Sequence, residues 1–217
     1  MAAITAEQVR QLRERTGAGM LDCKKALEES GGNLENAIES LRKKGLKDIS
    51  KRAGKVAAEG SIGIYVHPGE QVVSVVELNC ETDFVARNEE FRQLAKDLAL
   101  HVAAMKPLYL TSEEVPAEVL EKEKEILMAQ LNEAQRAKAD KILPGKIEKY
   151  YEDTVLFKQI FVKDDSGKLT IKELVDQLSM KCGEKVIVRR FQRFEVGEGI
   201  AKQQSNLAEE VASMVQA

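Results

Sequence analysis

The chain has 217 residues, 43% of them hydrophobic and 32% charged, with a net charge of −3 at pH 7. That apolar content excludes a disordered chain, and the length fits one large domain or a core with smaller attachments. The slightly acidic balance argues against a general nucleic-acid binder, which carries a strong positive excess, so no direct nucleic-acid partner is expected.

The first 45 residues read as three short helices. Thr5 can cap the first, with Gln8 as its capping-box partner, and RTGAGM breaks it because two glycines flank Ala18. The second covers about Leu21 to Glu29 and stops at Gly31-Gly32. Asn33 caps the third, where Leu34, Ala37, Ile38 and Leu41 follow the spacing of one helical face, and Gly45 is placed as its C-cap. So little apolar mass makes a marginal core, better suited to docking than to catalysis. RKKGLKDISKRAGKV, residues 42 to 56, sets seven basic residues against Asp48. It reads either as a solvated helix and linker or as a positive surface for an acidic partner or a phosphate.

SIGIYVH and QVVSVVELNC form a hairpin around Pro68-Gly69-Glu70. The second strand is nearly continuous in apolar residues, so it is expected to be central and covered on both faces. After NCETDFVARN a helix starts near Glu89, with Phe91, Leu94, Ala95, Leu98 and Val102 inward, and Pro107 ends it. Residues 112 to 139 predict a charged helix, either one arm of a projecting hairpin or an ordinary amphipathic helix on the sheet, and residues 145 to 160 predict the returning helix. LTIKELVDQLSMKCG predicts another helix ending at Gly183, and EKVIVRRFQRFEVGEG a third strand with Val186, Val188 and Phe191 inward and Arg189, Arg190 and Arg193 pointing elsewhere. NLAEEVASMV predicts a last amphipathic helix with Leu207, Val211 and Met214 on one side. The sum is an α+β fold in which helices face a small antiparallel sheet of about three strands.

The chemistry-bearing residues are sparse. Cys23, Cys80 and Cys182 form no CxxC or CxxH pair, and His67 and His101 are the two histidines. No zinc or other metal site is expected, and unpaired cysteines suit a reducing compartment. No nucleophile has a base close in sequence, so the cysteines read as packing residues. His67 reads as a surface residue and His101 as lying on the exposed or boundary side of its helix. TGAGMLDCKK lacks the spacing and the preceding strand of a phosphate loop, and GEGIAK is no stronger. No cofactor is expected, no catalytic residue is assigned, and the chain is read as a non-enzyme. MAAITAEQVRQL has no apolar stretch of a secretory signal, and no apolar run of membrane-spanning length occurs. The expectation is a cytoplasmic protein without a membrane span, an organelle remaining open.

One stretch resists a purely structural reading. In NCETDFVARN an acid, Asp83, and an aromatic ring, Phe84, stand together at the end of a core strand. Either Phe84 folds back onto the sheet while Asp83 caps the helix near Glu89, or the ring stays exposed as a wedge for an apolar groove on a partner.

TDFVARN after an apolar strand, with LRERTGAGMLDCKKAL near the N-terminus and RFEVGEGI near the C-terminus, resembles the elongation factor Ts family over nearly the whole chain. The resemblance implies a ubiquitin-associated-like helical N-domain at residues 1–50, an α+β core at 51–200 with a helical hairpin near 112–155, and a C-terminal docking helix at 201–217. It implies a guanine-nucleotide exchange factor that binds elongation factor Tu in its GDP-bound and nucleotide-free states during translation elongation. The family's Mg²⁺-dislodging segment maps onto Thr82, Asp83, Phe84 and Val85. The N-domain contacts map onto Arg13, Met20, Leu21 and Lys24, with Arg52 in the basic stretch, and those of the C-terminal helix onto Val211 and Met214. Longer members carry a duplicated core for which this chain is too short, so a homodimer is open as a replacement. The alternatives are a non-catalytic adaptor with a ubiquitin-associated-like head, and a small hydrolase using Asp83 with His67.

Overall fold

The computed structural model describes residues 4–200. The expected tail helix, with Leu207, Val211 and Met214, lies outside the described residues. The chain opens with three helices. Thr5 caps α1 (Ala6–Thr16): its hydroxyl accepts from Gln8 N–H at 3.2 Å, and Gln8 Oε1 accepts from Thr5 N–H at 2.9 Å. Gly17, at φ 66°, supplies the left-handed residue that ends it. α2 (Met20–Glu29) follows. Asn33 then caps α3 (Leu34–Arg52), its side chain accepting from Asn36 N–H at 3.0 Å. Val9, Leu12, Cys23, Ala26, Leu27, Ala37 and Leu41 close a small core of their own.

α3 does not stop at Gly45 as the sequence suggested. It continues to Arg52, because Gly45 is a point of close approach and not a cap. A Cβ there would collide with the end of Met180, from a helix late in the chain.

The sheet has the order β1-β2-β3 and is antiparallel throughout. β1 (Glu59–Val66) and β2 (Val72–Cys80) are joined by the expected turn, in which His67 N–H donates to Val72 O at 2.9 Å. A four-residue helix, α4 (Asp83–Ala86), leads from β2 into α5 (Glu89–Met105), which lies across the inner face. Gly63 of β1 permits this closeness, since a Cβ there would overlap the Ala95 carbonyl of α5. Ser74 of β2 donates its hydroxyl to Ala99 O at 2.5 Å, binding the same two elements. Val76, Leu78 and Cys80 meet Phe91, Leu94, Ala95, Leu98 and Val102 in the main core.

β2 is central, but only one of its faces is covered. Along it Ser74, Val76, Leu78 and Cys80 are buried while Val73, Val75 and Glu77 are half-buried. The outer face carries rows read from the register: Val66, Val73 and Phe194, then Ile64, Val75 and Gln192, then Ile62, Glu77 and Arg190. Ile62, Ile64, Val66 and Phe194 are exposed. A run of valines is equally good strand former whether one or both faces are packed, so the sequence could not tell the two apart.

Beyond α5, the expected helix over 112–139 is divided. A 3₁₀ turn (Ser112–Glu114) precedes α6 (Ala117–Ala129), the chain breaks at Gln130, and Asn132 caps a short α7 (Glu133–Arg136) through a second capping box. The returning helix α8 (Ala139–Thr154) starts six residues early and passes through Pro144. Leu127, Leu131 and Ala139 are buried between these helices, while Ile126 stays exposed. α9 (Ile171–Cys182) carries the Thr170–Glu173 capping box and ends at Gly183, φ 67°. β3 (Ile187–Glu195) completes the sheet. Val186 and Val188 point inward as expected. Arg193 does not point away: its side chain is largely buried, donating to Ala103 O at 3.2 Å and to Glu195 Oε2 at 2.6 Å.

His101 also departs from expectation. It is fully buried in α5, not at a boundary. Val162 N–H donates to its Nδ1 at 3.2 Å, which leaves Nε2–H to donate to Gln159 Oε1 at 3.0 Å. With both nitrogens satisfied, burial holds the imidazole neutral and lowers its pKa, against a smaller opposite effect of the Gln159 bond.

Candidate functional site

The site begins where β2 ends. Cys80 is buried, and burial pushes its thiol up to about 11, with the Glu184 charge adding to the effect. It is therefore a packing residue and a weak donor, its Sγ lying 3.1 Å from Thr82 O. Thr82 is the N-cap of α4 in extended conformation. Asp83 opens the helix and pairs with Arg87 one turn on, Nη2 to Oδ2 at 3.0 Å. Asp83 does not cap the following helix. That task falls to Asn88, whose Oδ1 accepts from Glu90 N–H at 2.8 Å. Ala86 turns inward into the main core with Val85 half-buried beside it.

Phe84 is 83% exposed. Of the two readings open for the ring, the geometry supports the exposed one: the ring does not fold back onto the sheet. A large apolar side chain presented alone in water is a poor choice for stability, because it leaves its favourable burial unrealised. It is a good choice for an anchor that fills a groove on another molecule.

The N-terminal candidates lie on the head. Arg13 is exposed on α1, and Met20 (51% exposed) and Leu21 (76%) form an apolar pair at the start of α2. Lys24, also exposed, faces Glu28 at 3.8 Å. Arg52 behaves differently. It is half-buried at the end of α3 and pairs with Glu81 Oε1 at 3.0 Å, next to the tip. The Lys185 N–H, donating to Glu81 Oε1 at 2.7 Å, and then Arg52 hold the Glu81 carboxyl below its ordinary range. Among the N-terminal candidates in the described residues, Arg52 is the one tied by an ion pair to the base of the tip. Val211 and Met214 lie outside the described residues.

Much of the rest of the basic stretch is neutralised in place. Arg42 pairs with Glu173 of α9, Lys43 with Glu39, Lys44 with Asp22 and Lys51 with Asp48. These are exposed pairs of small individual worth. Their effect is to weaken the reading of this stretch as a phosphate site. His67 is a surface residue whose Nδ1 meets Tyr65 Oη at 3.1 Å, and no polar contact links it to Asp83. Among the described residues, no group of three or more His, Cys, Asp or Glu side chains is placed to hold a metal ion, and no helix is long and apolar enough to cross a membrane.

Similarity to known proteins runs along nearly the whole chain. A family model described as elongation factor TS matches residues 4–198. The chain belongs to the elongation factor Ts family. It is 52% identical over 219 residues to the elongation factor Ts of Desulforamulus reducens, covering 100% of both chains. To that of Moorella thermoacetica it is 54% identical over 201 residues, 92% of this chain and 98% of the relative. To that of Geobacter sulfurreducens it is 49% identical over 213 residues, 97% and 98% of the two chains. These relatives are of about the same length as this chain, and membership in the family places the chain in translation elongation.

Sequence reasoning missed Glu184. It lies in the connection between α9 and β3, where its carboxylate accepts from both Thr82 N–H (3.0 Å) and Thr82 O–H (2.6 Å). Nothing in GEKV signals a partner 102 residues away.

Proposed function

We propose that this chain is a guanine-nucleotide exchange factor for elongation factor Tu, acting in the cytoplasm. The observation that carries the reading is Phe84, exposed on a four-residue helix whose far end, Ala86, packs into the main core and whose cap, Thr82, is bonded to Glu184. The head, through Arg13, Met20, Leu21 and Lys24, engages the nucleotide domain of the partner, and the tip of Thr82, Asp83, Phe84 and Val85 reaches towards its GDP site. Phe84 enters an apolar groove and shifts the elements that support the partner's Mg²⁺. Asp83, whose Arg87 partner is itself exposed, exchanges that ion pair for polar groups of the partner. Loss of the metal removes charge neutralisation from the β-phosphate, and GDP leaves faster. Linkage makes the effect reciprocal: a factor that weakens GDP binding is itself bound more weakly by the GDP complex, in the same ratio. Incoming nucleotide therefore releases the factor, and no covalent step is needed.

Stopped-flow release of a fluorescent GDP from elongation factor Tu tests this. The wild-type chain is expected to accelerate release, and Phe84→Ala to lose most of the acceleration while still binding. Binding without acceleration by wild type would leave a non-catalytic adaptor. Acceleration unchanged in Phe84→Ala would move the action away from the tip.

We also infer that the outer face of the sheet joins two copies of the chain. Its rows of Ile62, Ile64, Val66, Val73, Val75 and Phe194 form a contiguous apolar strip on a three-stranded sheet, and monomers seldom leave such a patch open. A second sheet packing face to face about 10 Å away would cover it. Glu77 pairs with Arg189 and Arg190 at 2.8 and 2.6 Å, which confines the charge to the polar end of the face and leaves one net positive charge there. Sedimentation equilibrium of wild type and Ile64→Lys is expected to give a dimer and a monomer; a wild-type monomer at micromolar concentration would contradict the inference.

A further inference from the structure

Each polar group of the Thr82 main chain and side chain has a partner. Its N–H and O–H both go to Glu184, and its carbonyl accepts from Ala86 N–H at 3.2 Å besides lying against the Cys80 thiol. The cap bond that Thr82 itself offers, from Val85 N–H to its Oγ1, is long at 3.5 Å. The helix it caps has four residues, far short of the length at which a helix holds its own shape in water. Phe84, exposed, gains no orientation from packing. The direction in which the ring is presented is therefore inherited from Thr82 and from the inward turn of Ala86.

Glu184 is itself fixed. Gly183 turns the chain out of α9 in the left-handed conformation, and Ser179 Oγ, from the last turn of α9, donates to Glu184 O at 2.5 Å. The next residue continues the brace. Lys185 N–H donates to Glu81, which also holds Arg52, and Lys185 Nζ donates to Ala53 O at 2.6 Å and Lys55 O at 2.9 Å. Two adjacent residues thus join the tip, the end of the head's last helix and the start of β3. A carboxylate suits the first role because its two oxygens are spaced to take two parallel donors, and bonds to an ionised acceptor are short and strong.

We propose that Glu184 is a positioning residue for nucleotide exchange: by bridging the N–H and O–H of Thr82 it fixes the orientation in which Phe84 meets the partner, without touching the partner itself. The inference rests on the exchange-factor reading. Its physical basis is preorganisation, in which an ordering cost met within the free protein does not have to be met again on binding. Removing Glu184 leaves the ring, the head and the main core in place but lets the tip sample many directions, few of them productive.

The experiment titrates the full chain against elongation factor Tu loaded with fluorescent GDP and reads both the plateau of the release rate and the half-saturating concentration. Glu184→Ala is expected to lower the plateau about tenfold (about 1.4 kcal/mol) and to move half-saturation less than about twofold. Glu184→Met keeps the length of the side chain but takes away both carboxylate acceptors, so its plateau is expected to fall as far as that of Glu184→Ala, whereas Glu184→Gln, whose Oε1 accepts from Thr82 N–H and whose Nε2–H donates to Thr82 Oγ1, is expected to keep most of it. The double variant Glu184→Ala/Thr82→Val is expected to be no worse than the more severe single variant, because both remove the same link. A merely structural role would instead shift the thermal midpoint and give additive losses. A plateau in Glu184→Ala equal to wild type would overturn the proposal while leaving the exchange reading intact. If Glu184→Ala does not fold, a wild-type plateau in folded Glu184→Met would do the same. Failure of wild type to accelerate release at all would overturn the exchange reading, and this inference with it.

Discussion

The head and the sheet present their candidate residues from different foundations. Met20 and Leu21 stand on a three-helix core in which alanine and a cysteine fill much of the space, Cys23, Ala26 and Ala37 among them. Phe84 stands at the end of the central strand, over a core that includes Phe91, Leu98, Leu156 and Ile171, all fully buried. The head also leans on the sheet region. α3 runs past it to Arg52, Gly45 receives Met180, and Arg42 reaches Glu173. On the exchange-factor reading proposed above, the difference divides the roles: the head offers an adhesive surface held by a modest core, and the tip offers one ring held in one direction. Affinity is expected to follow the first and exchange the second.

The strongest challenge to this contrast is to weaken the foundation under the tip. Phe91→Ala removes a fully buried ring from the middle of the main core and is expected to cost about 4 kcal/mol. It should lower the urea midpoint more than Leu27→Ala in the head does. A larger loss from the head variant would reverse the ranking of the two cores.

Next in size is the tip itself. Phe84→Ala removes a ring that contributes little to folding, so stability should stay within about 0.5 kcal/mol. The plateau of GDP release should fall roughly 30-fold, the equivalent of about 2 kcal/mol for a buried anchor. A fall in stability as large as the fall in exchange would mean the ring packs on its own chain.

The joint between the regions can be tested at Gly45. Gly45→Val places a branched side chain where Met180 now lies, and overpacking of this kind costs about 1.5 kcal/mol. Adding Met180→Ala should recover most of the thermal midpoint. Without recovery, the close approach of α3 and α9 is not what makes glycine necessary.

The smallest expected effect is a pH dependence confined to the main core. His101 is held neutral with a lowered pKa, so the unfolded chain binds more protons between the two values and stability rises with pH. The contribution is complete above about pH 6.5, the ordinary histidine value, and is lost as pH falls through it towards the lower folded value. Protonation would also turn Nδ1 from acceptor to donor against the Val162 N–H. Urea midpoints at about pH 7.5 and about pH 5.5 should differ for wild type and less so for His101→Gln. Carboxylates such as Glu195, held at about 2 by Lys106 and Arg193, act only below about pH 4.3 and do not obscure this window.

Local signals carried far in this sequence. The caps at Thr5 and Asn33, the hairpin after His67 and the inward face of α5 are all legible, because each depends on residues within one or two turns of one another. The prominence of Asp83–Phe84 was legible too, as an oddity at the end of a strand. What stayed hidden depends on distant partners. Gly45 reads as a cap until Met180 is placed against it, His101 reads as an exposed or boundary residue until Gln159 comes within 3.0 Å, and Glu184 reads as the start of the third strand until Thr82 meets it. The outer face of β2 was hidden for another reason: a run of valines does not record whether a second layer exists.

The most direct test of the division between head and tip places two variants in one titration of GDP release from elongation factor Tu. Leu21→Ala, on the exposed start of α2, is expected to raise the half-saturating concentration and leave the plateau unchanged. Phe84→Ala is expected to lower the plateau and leave half-saturation nearly unchanged. If both variants move the same parameter, the head and the tip are one binding surface, and the separation of affinity from exchange is wrong.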